Sequence, residues 1–118
     1  MLDITEKGGS RTSGVIDYCR IRDVRLQAYS PLKGEFLNPP EKASDELRNT
    51  IQLLNDIAGR QNATLPAVVL AWLLRHPAGI VPIIGPTSPA HLTEDCVADR
   101  VVLSREEWYA LYIRAAKL

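Results

Sequence analysis

The sequence predicts an α/β fold with parallel strands, and three observations support that prediction. Residues 24–30 contain several apolar or β-prone residues, and residues 80–84 are a short run rich in β-branched residues, so both are candidate strands. Between them lie about fifty residues of mainly helical pattern, and parallel neighbours need a connection of that kind. Each run also leads directly into a turn. The two runs and the residues between them therefore form one parallel crossover unit.

The N-terminal part of the sequence is predicted to form a flexible lead-in segment, a helix and the first strand. Residues 1–13 include the loop composition Gly8-Gly9-Ser10 and are expected to form a flexible lead-in. Residues 15–22 place their apolar side chains on one side of a helix. The strand at 24–30 ends at Pro31, because proline cannot donate to a sheet and restricts the residue before it.

The crossover begins with a loop and a first helix. Residues 33–43 contain Pro39-Pro40 and predict a loop. Ser44 can cap the helix that follows, where acidic residues in the first turn suit the helix dipole. Apolar residues recur at helical spacing up to Gly59, and a glycine can adopt the left-handed conformation that ends a helix. We therefore expect this helix to end at Gly59.

A second, more apolar helix and the second strand complete the crossover. Thr64 can cap a helix at 65–74, which is apolar almost all round and must be covered on most sides. Pro77 ends it. The strand at 80–84 has the composition of a strand that is buried on both faces of a parallel sheet.

Two more helices are predicted after the second strand. Ser88 can cap a helix whose first residue is Pro89, which fixes the opening φ. Ser104 and Glu107 have the spacing of a capping box at the start of the last helix.

The chain is too short to form a complete parallel sheet by itself. A sheet usually holds about four to six strands, and two parallel strands alone leave unpaired edges and an uncovered apolar face. The length of 118 residues is also about half of the ~250 residues of a (β/α)-barrel. Either further strands come from elsewhere, or the chain is a piece of a larger fold.

Composition excludes several classes of function. The 14 basic and 14 acidic residues balance, so no overall field attracts nucleic acid or an anionic membrane. No apolar run reaches the ~20 residues of a membrane span, and no signal peptide is evident, so a cytoplasmic location is expected. Cys19 and Cys96 match no metal-ligand spacing and are expected to be reduced, buried thiols; a disulfide is the alternative. With only two histidines, no metal site is predicted.

The functional signal lies where the two strands end. Gln27-Ala28-Tyr29-Ser30-Pro31-Leu32 and Ile83-Ile84-Gly85-Pro86-Thr87-Ser88-Pro89 each run from a strand into a turn, and the second leads into a helix start. Such segments can present backbone N–H groups and hydroxyls to an anion. We interpret them as the walls of a site for a phosphate-bearing cofactor.

These stretches resemble the aldo-keto reductases. Residues 28–32 resemble the seventh barrel strand of that family, 82–95 the eighth strand with its loop and helix, and 71–77 the penultimate helix. The resemblance runs from about Gly14 to the C-terminus and covers the last third or so of a typical member. It implies a partial (β/α)8 TIM barrel, formed by the last two β/α units plus C-terminal helices, with residues 14–118 as the cofactor-binding segment.

The resemblance also implies a cofactor and the residues that hold it. The family binds NADP(H) at the carboxyl ends of the barrel strands and reduces carbonyls by hydride transfer. Tyr29 would stack on the nicotinamide, and Ser30, Leu32 and Gly34 would line the pyrophosphate. The residues that would grip the adenosine 2′-phosphate and adenine are Gly85, Thr87, Ser88, His91 and Asp95.

This chain departs from the family at the 2′-phosphate site. Many members have lysine and arginine where it has Gly85 and His91, and asparagine where it has Asp95. A guanidinium gives a permanent bidentate phosphate contact, whereas histidine is largely neutral at its usual pKa of about 6.5. The predicted cofactor is therefore NADP(H) or NAD(H).

No catalytic residue is predicted in this chain. The family's catalytic aspartate, tyrosine, lysine and histidine come from earlier strands, and a carbonyl substrate would bind only in a complete barrel. The first hypothesis is the cofactor-binding portion of an NAD(P)H-dependent reductase, inactive alone. The second is a non-catalytic interaction module that self-associates, or docks on another barrel, through uncovered apolar surface. A third hypothesis is that the chain starts at an internal methionine of a longer reading frame.

Overall fold

The computed structural model describes residues 14–117, and the predicted lead-in at 1–13 lies outside them. The predicted helices and both strands form in the expected order. They are α1 (Val15–Ile21), β1 (Gln27–Tyr29), α2 (Asp45–Arg60), α3 (Leu65–Leu74), β2 (Val81–Ile83), α4 (Pro89–Cys96), the 3-10 helix Val97–Arg100, and α5 (Arg105–Lys117). In this part of the chain, no helix is long and apolar enough to cross a membrane.

The two strands pair in parallel, as the long crossover predicts. Gln27 pairs with Val81, and Tyr29 pairs with Ile83. The Val81 N–H also donates to the Leu26 carbonyl at 2.9 Å. Each strand is three residues long and thus shorter than expected, because each has only one neighbour to pair with among the described residues.

The sheet is covered on one face and open on the other. Ala28 and Ile80 are almost fully buried in the core beneath the helices. Since side chains alternate along a strand, Tyr29, Val81 and Ile83 share the opposite face, and all three are exposed. The expectation that the second strand is buried on both faces is therefore wrong for the described residues, because the helices pack against only one side.

The apolar helix α3 lies at the centre of the molecule. It packs against α2, α4, β2 and the 3-10 helix. One cluster of buried side chains joins it to α1, α2, β1 and α5, and a second joins it to the 3-10 helix. Its five buried residues are Ala67, Val68, Leu70, Ala71 and Leu73. A helix without a polar face is thus covered on most sides, as expected.

Two stacked indole rings, which also form reciprocal hydrogen bonds, join α5 to α3. The Trp72 Nε1–H donates to the Trp108 carbonyl at 3.1 Å, and the Trp108 Nε1–H donates to the Trp72 carbonyl at 2.9 Å. The two rings stack with their centroids 5.5 Å apart. Both buried indole N–H groups are therefore satisfied, and the C-terminal helix is joined to the core by hydrogen bonds as well as by packing.

Helix α2 does not end where the sequence suggested. Gly59 lies within the helix, which continues to Arg60. The left-handed residue is Asn62, with φ 50°, and the Ala63 N–H donates to the Ala58 carbonyl at 3.0 Å. This bond closes the helix end, and asparagine tolerates the left-handed region better than most residues.

The cysteines differ in environment. Both are free, so no disulfide joins them. Cys19 is buried on α1, as expected, but Cys96 is exposed at the end of α4, and the prediction of a buried thiol there is wrong.

The capping box of α5 forms as predicted. The Ser104 N–H donates to Glu107 Oε2 at 2.8 Å, and the Glu107 N–H donates to Ser104 Oγ at 3.0 Å. The Glu107 carboxylate also pairs with Arg60 on α2. The hydrogen bond from the Ser104 backbone is the main cause that lowers the pKa of Glu107 from its usual 4.5, and partial burial opposes it.

We expect Glu107→Gln to make the stability of the fold less sensitive to acid. Because the folded-state pKa is lowered, the Glu107 carboxylate stabilises the fold above about pH 4.5, and this contribution is lost as the pH falls further. At neutral pH the substitution should cost about 1 kcal/mol, as for other caps. Urea unfolding at neutral and acid pH measures both effects. The control variant is Glu106→Gln, at the exposed neighbouring residue. If the stability of Glu107→Gln fell with acid as much as that of wild type, the prediction would be contradicted.

Candidate functional site

The parallel register brings the two predicted site segments to the same edge of the sheet. Tyr29 and Ile83 are paired and are the last residues of their strands. The chain therefore leaves both strands side by side, through a turn that begins at Ser30 and a loop that begins at Ile84. The loops that follow parallel strands commonly form binding sites at this end of a sheet.

Tyr29 presents its ring on the open face of the sheet. The residue is 63% exposed. Ala28, just before it, and Pro31, two residues after it, are buried and hold the backbone in place. The ring is thus carried by a fixed strand end while contributing little to the core, and it offers a planar apolar surface beside the turn.

The turn after β1 is tightly bent and anchored. Ser30 has a positive φ of 50°, which is uncommon for a residue with a side chain. Its carbonyl accepts a hydrogen bond from the Lys33 N–H at 3.1 Å, which closes the turn. Leu32 packs against the second core cluster, as does Ile84 from the other segment. The two segments are therefore fixed on one common apolar surface.

A Cβ at either of the two site glycines would fit without a clash. A Cβ at Gly34 would lie 3.7 Å from the Phe36 ring, which is an ordinary contact, and a Cβ at Gly85 would meet nothing within 4 Å. Neither glycine has a positive φ. The fold of the chain itself therefore does not require glycine at either position.

The start of α4 supplies hydroxyl and amide groups. The His91 N–H donates to Ser88 Oγ at 3.3 Å, so Ser88 caps the helix as predicted. The Leu92 N–H donates to the Ser88 carbonyl, and Pro89 has no N–H. In this turn the Ala90 N–H has no partner and lies at the positive end of the helix dipole. Thr87, just before the cap, is exposed.

His91 and Asp95 lie one helical turn apart on α4. His91 is exposed, whereas Asp95 is only 7% exposed. Burial is the main cause that raises the pKa of Asp95, while the charge of His91 lowers it and that of Glu94 raises it further. The Asp95 side chain is largely withdrawn from solvent, whereas the other residues of α4, His91 among them, are exposed.

These positions together form an edge that suits a planar, anionic ligand. The turn at Ser30 and the loop from Gly85 to Ser88 lie side by side, and His91 and Asp95 lie farther along α4. The Ala90 N–H was missed in the sequence, although Pro89 at the first helical position, which has no N–H, is a signal that could have pointed to it. No group of three or more potential metal ligands occurs within residues 14–117.

Comparisons with known proteins identify the family. The model of the aldo/keto reductase family matches residues 10–113. The 6-dehydroglucose reductase of Novosphingobium aromaticivorans is 34% identical over 103 residues, which make up 87% of this chain and 33% of that protein. The 6-dehydroglucose reductase of Agrobacterium fabrum is 36% identical over 104 residues, or 88% of this chain and 33% of that protein.

A solved structure gives the same result for the fold. The crystal structure of a thermostable aldo-keto reductase in complex with the inhibitor epalrestat superposes with a TM-score of 0.70 at 33% sequence identity. The match covers 86% of this chain and 33% of that structure. The chain thus spans about a third of the length of the relatives it matches, and its fold is a partial barrel. It belongs to the aldo/keto reductase family.

Proposed function

We propose that this chain is the cofactor-binding portion of an NAD(P)H-dependent aldo-keto reductase. The observation that carries the proposal is the parallel pairing of Tyr29 with Ile83, because it puts both predicted cofactor segments at one sheet edge. The exposed ring of Tyr29 would stack on the nicotinamide. The residues that would hold the remainder of the cofactor are Ser30, Leu32, Gly34, Gly85, Thr87, Ser88, His91 and Asp95.

The geometry of the edge supports each part of this assignment. The open space beside Gly85 would let a pyrophosphate approach the backbone closely, and at Gly34 the missing side chain leaves the backbone similarly accessible. The Ser88 hydroxyl and the Ala90 N–H lie at a helix N-terminus, where an anion is favoured. These groups suit the adenosine end of the cofactor.

The structure leaves both nicotinamide cofactors as candidates. In the adenosine part of the proposed site, His91 is the cationic candidate in place of the arginine of many family members, and the buried Asp95 lies one turn farther along. An imidazole cannot hold a 2′-phosphate through two parallel hydrogen bonds, as a guanidinium does. We propose NADP(H) or NAD(H), with a smaller difference between the two than an arginine would give.

The proposed chemistry is hydride transfer to a carbonyl substrate within a complete barrel. The two curated relatives described above are named as reductases. We propose that the chain alone gives no turnover, because the catalytic aspartate, tyrosine, lysine and histidine of the family come from earlier strands of the barrel. We further propose a cytoplasmic location, with which the two free thiols agree.

Comparing two capping serines tests the site. Ser88 and Ser104 both cap a helix through their hydroxyl, so Ser88→Ala and Ser104→Ala should each destabilise the fold by about 1 kcal/mol. Only Ser88→Ala should also weaken NADPH binding, by roughly fivefold to tenfold, because it alone removes a hydroxyl from the proposed site. Titration followed by tryptophan fluorescence gives both affinities. Equal affinities for the two variants would count against the site.

A second candidate function is docking through the open face of the sheet. Tyr29, Val81 and Ile83 form an exposed apolar surface there, whereas the helix that first suggested such a surface, α3, is largely covered. A second copy of the chain or another barrel portion could pair with this face. Light scattering after size-exclusion chromatography separates the candidates, since a monomer that binds NADPH excludes self-association.

A further inference from the structure

A second concave site lies away from the proposed cofactor edge. Its volume is about 530 Å³, which is within the usual range for small-molecule pockets. It is formed by α1, the C-terminal end of α3 and the start of α5. The cavity is lined by Arg20 and Arg75, and each of these residues is followed by a short loop that leads into the start of a strand. The cofactor edge, in contrast, lies where the strands end. The cavity is therefore at the opposite end of the sheet.

The cavity carries an excess of positive charge. Three guanidinium groups line it, from Arg20, Arg75 and Arg105, together with one carboxylate, that of Asp17. Arg20 lies 4.0 Å from Asp17. Arg105 lies over the Tyr109 ring at 5.8 Å. Neither Arg75 nor Arg105 forms an ion pair with a described residue, so two of the three guanidinium groups have no carboxylate partner within residues 14–117.

A histidine in the cavity contributes polarity rather than charge. Burial is the main cause that lowers the pKa of His76 from its usual 6.5, and the neighbouring Arg20 lowers it further, while Asp17 opposes both. Its Nδ1 accepts a hydrogen bond from the Ala78 N–H at 3.0 Å. Near neutral pH the positive charge of the cavity therefore comes from the arginines.

The remaining wall of the cavity is aromatic and apolar. It is lined by Trp108, Tyr109 and Tyr112 of α5, with Ile16 and Pro77 beside them. The Trp108 ring is stacked with Tyr112 at 5.5 Å and meets Tyr109 edge-on at 5.2 Å. Neighbouring rings fixed in this way give a rigid wall against which a planar ring can pack at low entropic cost.

We propose that this cavity binds a planar aromatic carboxylate. The aromatic wall would pack against the ring of the ligand, and Arg75 would hold the carboxylate through two parallel N–H···O hydrogen bonds. Arginine suits this contact because its planar guanidinium matches the geometry of a carboxylate. The inference is independent of the proposed cofactor site, because the two share no residue.

Calorimetric titration of the full chain with 2-naphthoate and with its neutral analogue 2-naphthamide tests the proposal. The carboxylate should bind about tenfold more tightly than the amide, since hydrogen bonds between charged groups are about twice as strong as neutral ones. Arg75→Gln should reduce naphthoate binding to the level of the amide. Arg48→Gln, at an exposed arginine of α2 outside the cavity, should leave it unchanged.

Three results would overturn the proposal. They are absence of binding, equal affinity for the two probes, and unchanged naphthoate affinity in Arg75→Gln. Arg75 is exposed, so its replacement should not disturb the core, and near-ultraviolet circular dichroism of the two tryptophans verifies this. Naphthoate binding should also persist in saturating NADPH, whereas competition between them would assign the probe to the cofactor edge instead.

Discussion

Replacing Trp108 by alanine is expected to destabilise the whole fold strongly. Trp108 is only 9% exposed, and it is stacked with Trp72 and Tyr112. Its indole N–H bonds to the Trp72 carbonyl, and its own carbonyl accepts from the Trp72 indole. Removal of a buried tryptophan costs about 3–5 kcal/mol, a large share of the about 5–15 kcal/mol by which a domain is stable. Urea unfolding followed by far-ultraviolet circular dichroism measures the loss.

Two milder substitutions separate the causes of this effect. Trp108→Phe keeps an aromatic ring but removes the indole N–H, so its cost should be smaller, about 1–3 kcal/mol. Tyr109→Ala, at the next position of α5, removes a half-exposed ring and should cost less again. If Trp108→Ala unfolds at the same urea concentration as wild type, the paired indoles do not hold α5 to the core.

The second large effect is expected at the cofactor site. Tyr29→Ala should weaken NADPH binding by about tenfold or more, because the stacking of a base on an aromatic ring contributes about 1–3 kcal/mol. The free energy of unfolding should change little, since Tyr29 is 63% exposed. Fluorescence titration and urea unfolding of the same preparations measure the two quantities independently.

Tyr18→Ala is the matched control for Tyr29→Ala. Tyr18 is 60% exposed, and it lies on α1, outside the proposed site. The Tyr18→Ala variant should bind NADPH as wild type does. A similar loss of affinity in both variants, or in neither, would show that the ring of Tyr29 has no specific role in binding the cofactor.

Local interactions were predictable from the sequence. Ser44, Thr64 and Ser88 each accept from an N–H three residues later, so capping residue and partner lie within one turn. The parallel strand pair was predictable as well, because the length of the helical crossover excludes a tight hairpin. These features depend on contacts that are near in sequence or on the length of the connection.

Features that depend on distant contacts were not predictable. Residues 80–84 have the composition of a doubly buried strand, but burial depends on elements that cover the sheet from elsewhere. The sequence predicts that α2 ends at Gly59, yet the helix continues through Arg60 and Asn62 takes the left-handed conformation. The arginines of the second cavity lie near α1, α3 and α5, and no spacing in the sequence brings them together.

Nuclear magnetic resonance of the isotope-labelled chain can map directly where NADPH binds. We predict that amide shifts change at the two segments after the strands, around Ser30 and from Gly85 to His91. The amides beside Arg75 and Arg105, at the other end of the sheet, should not move. Absence of any change at saturating NADPH, or changes confined to the opposite end, would contradict the assignment of the cofactor edge.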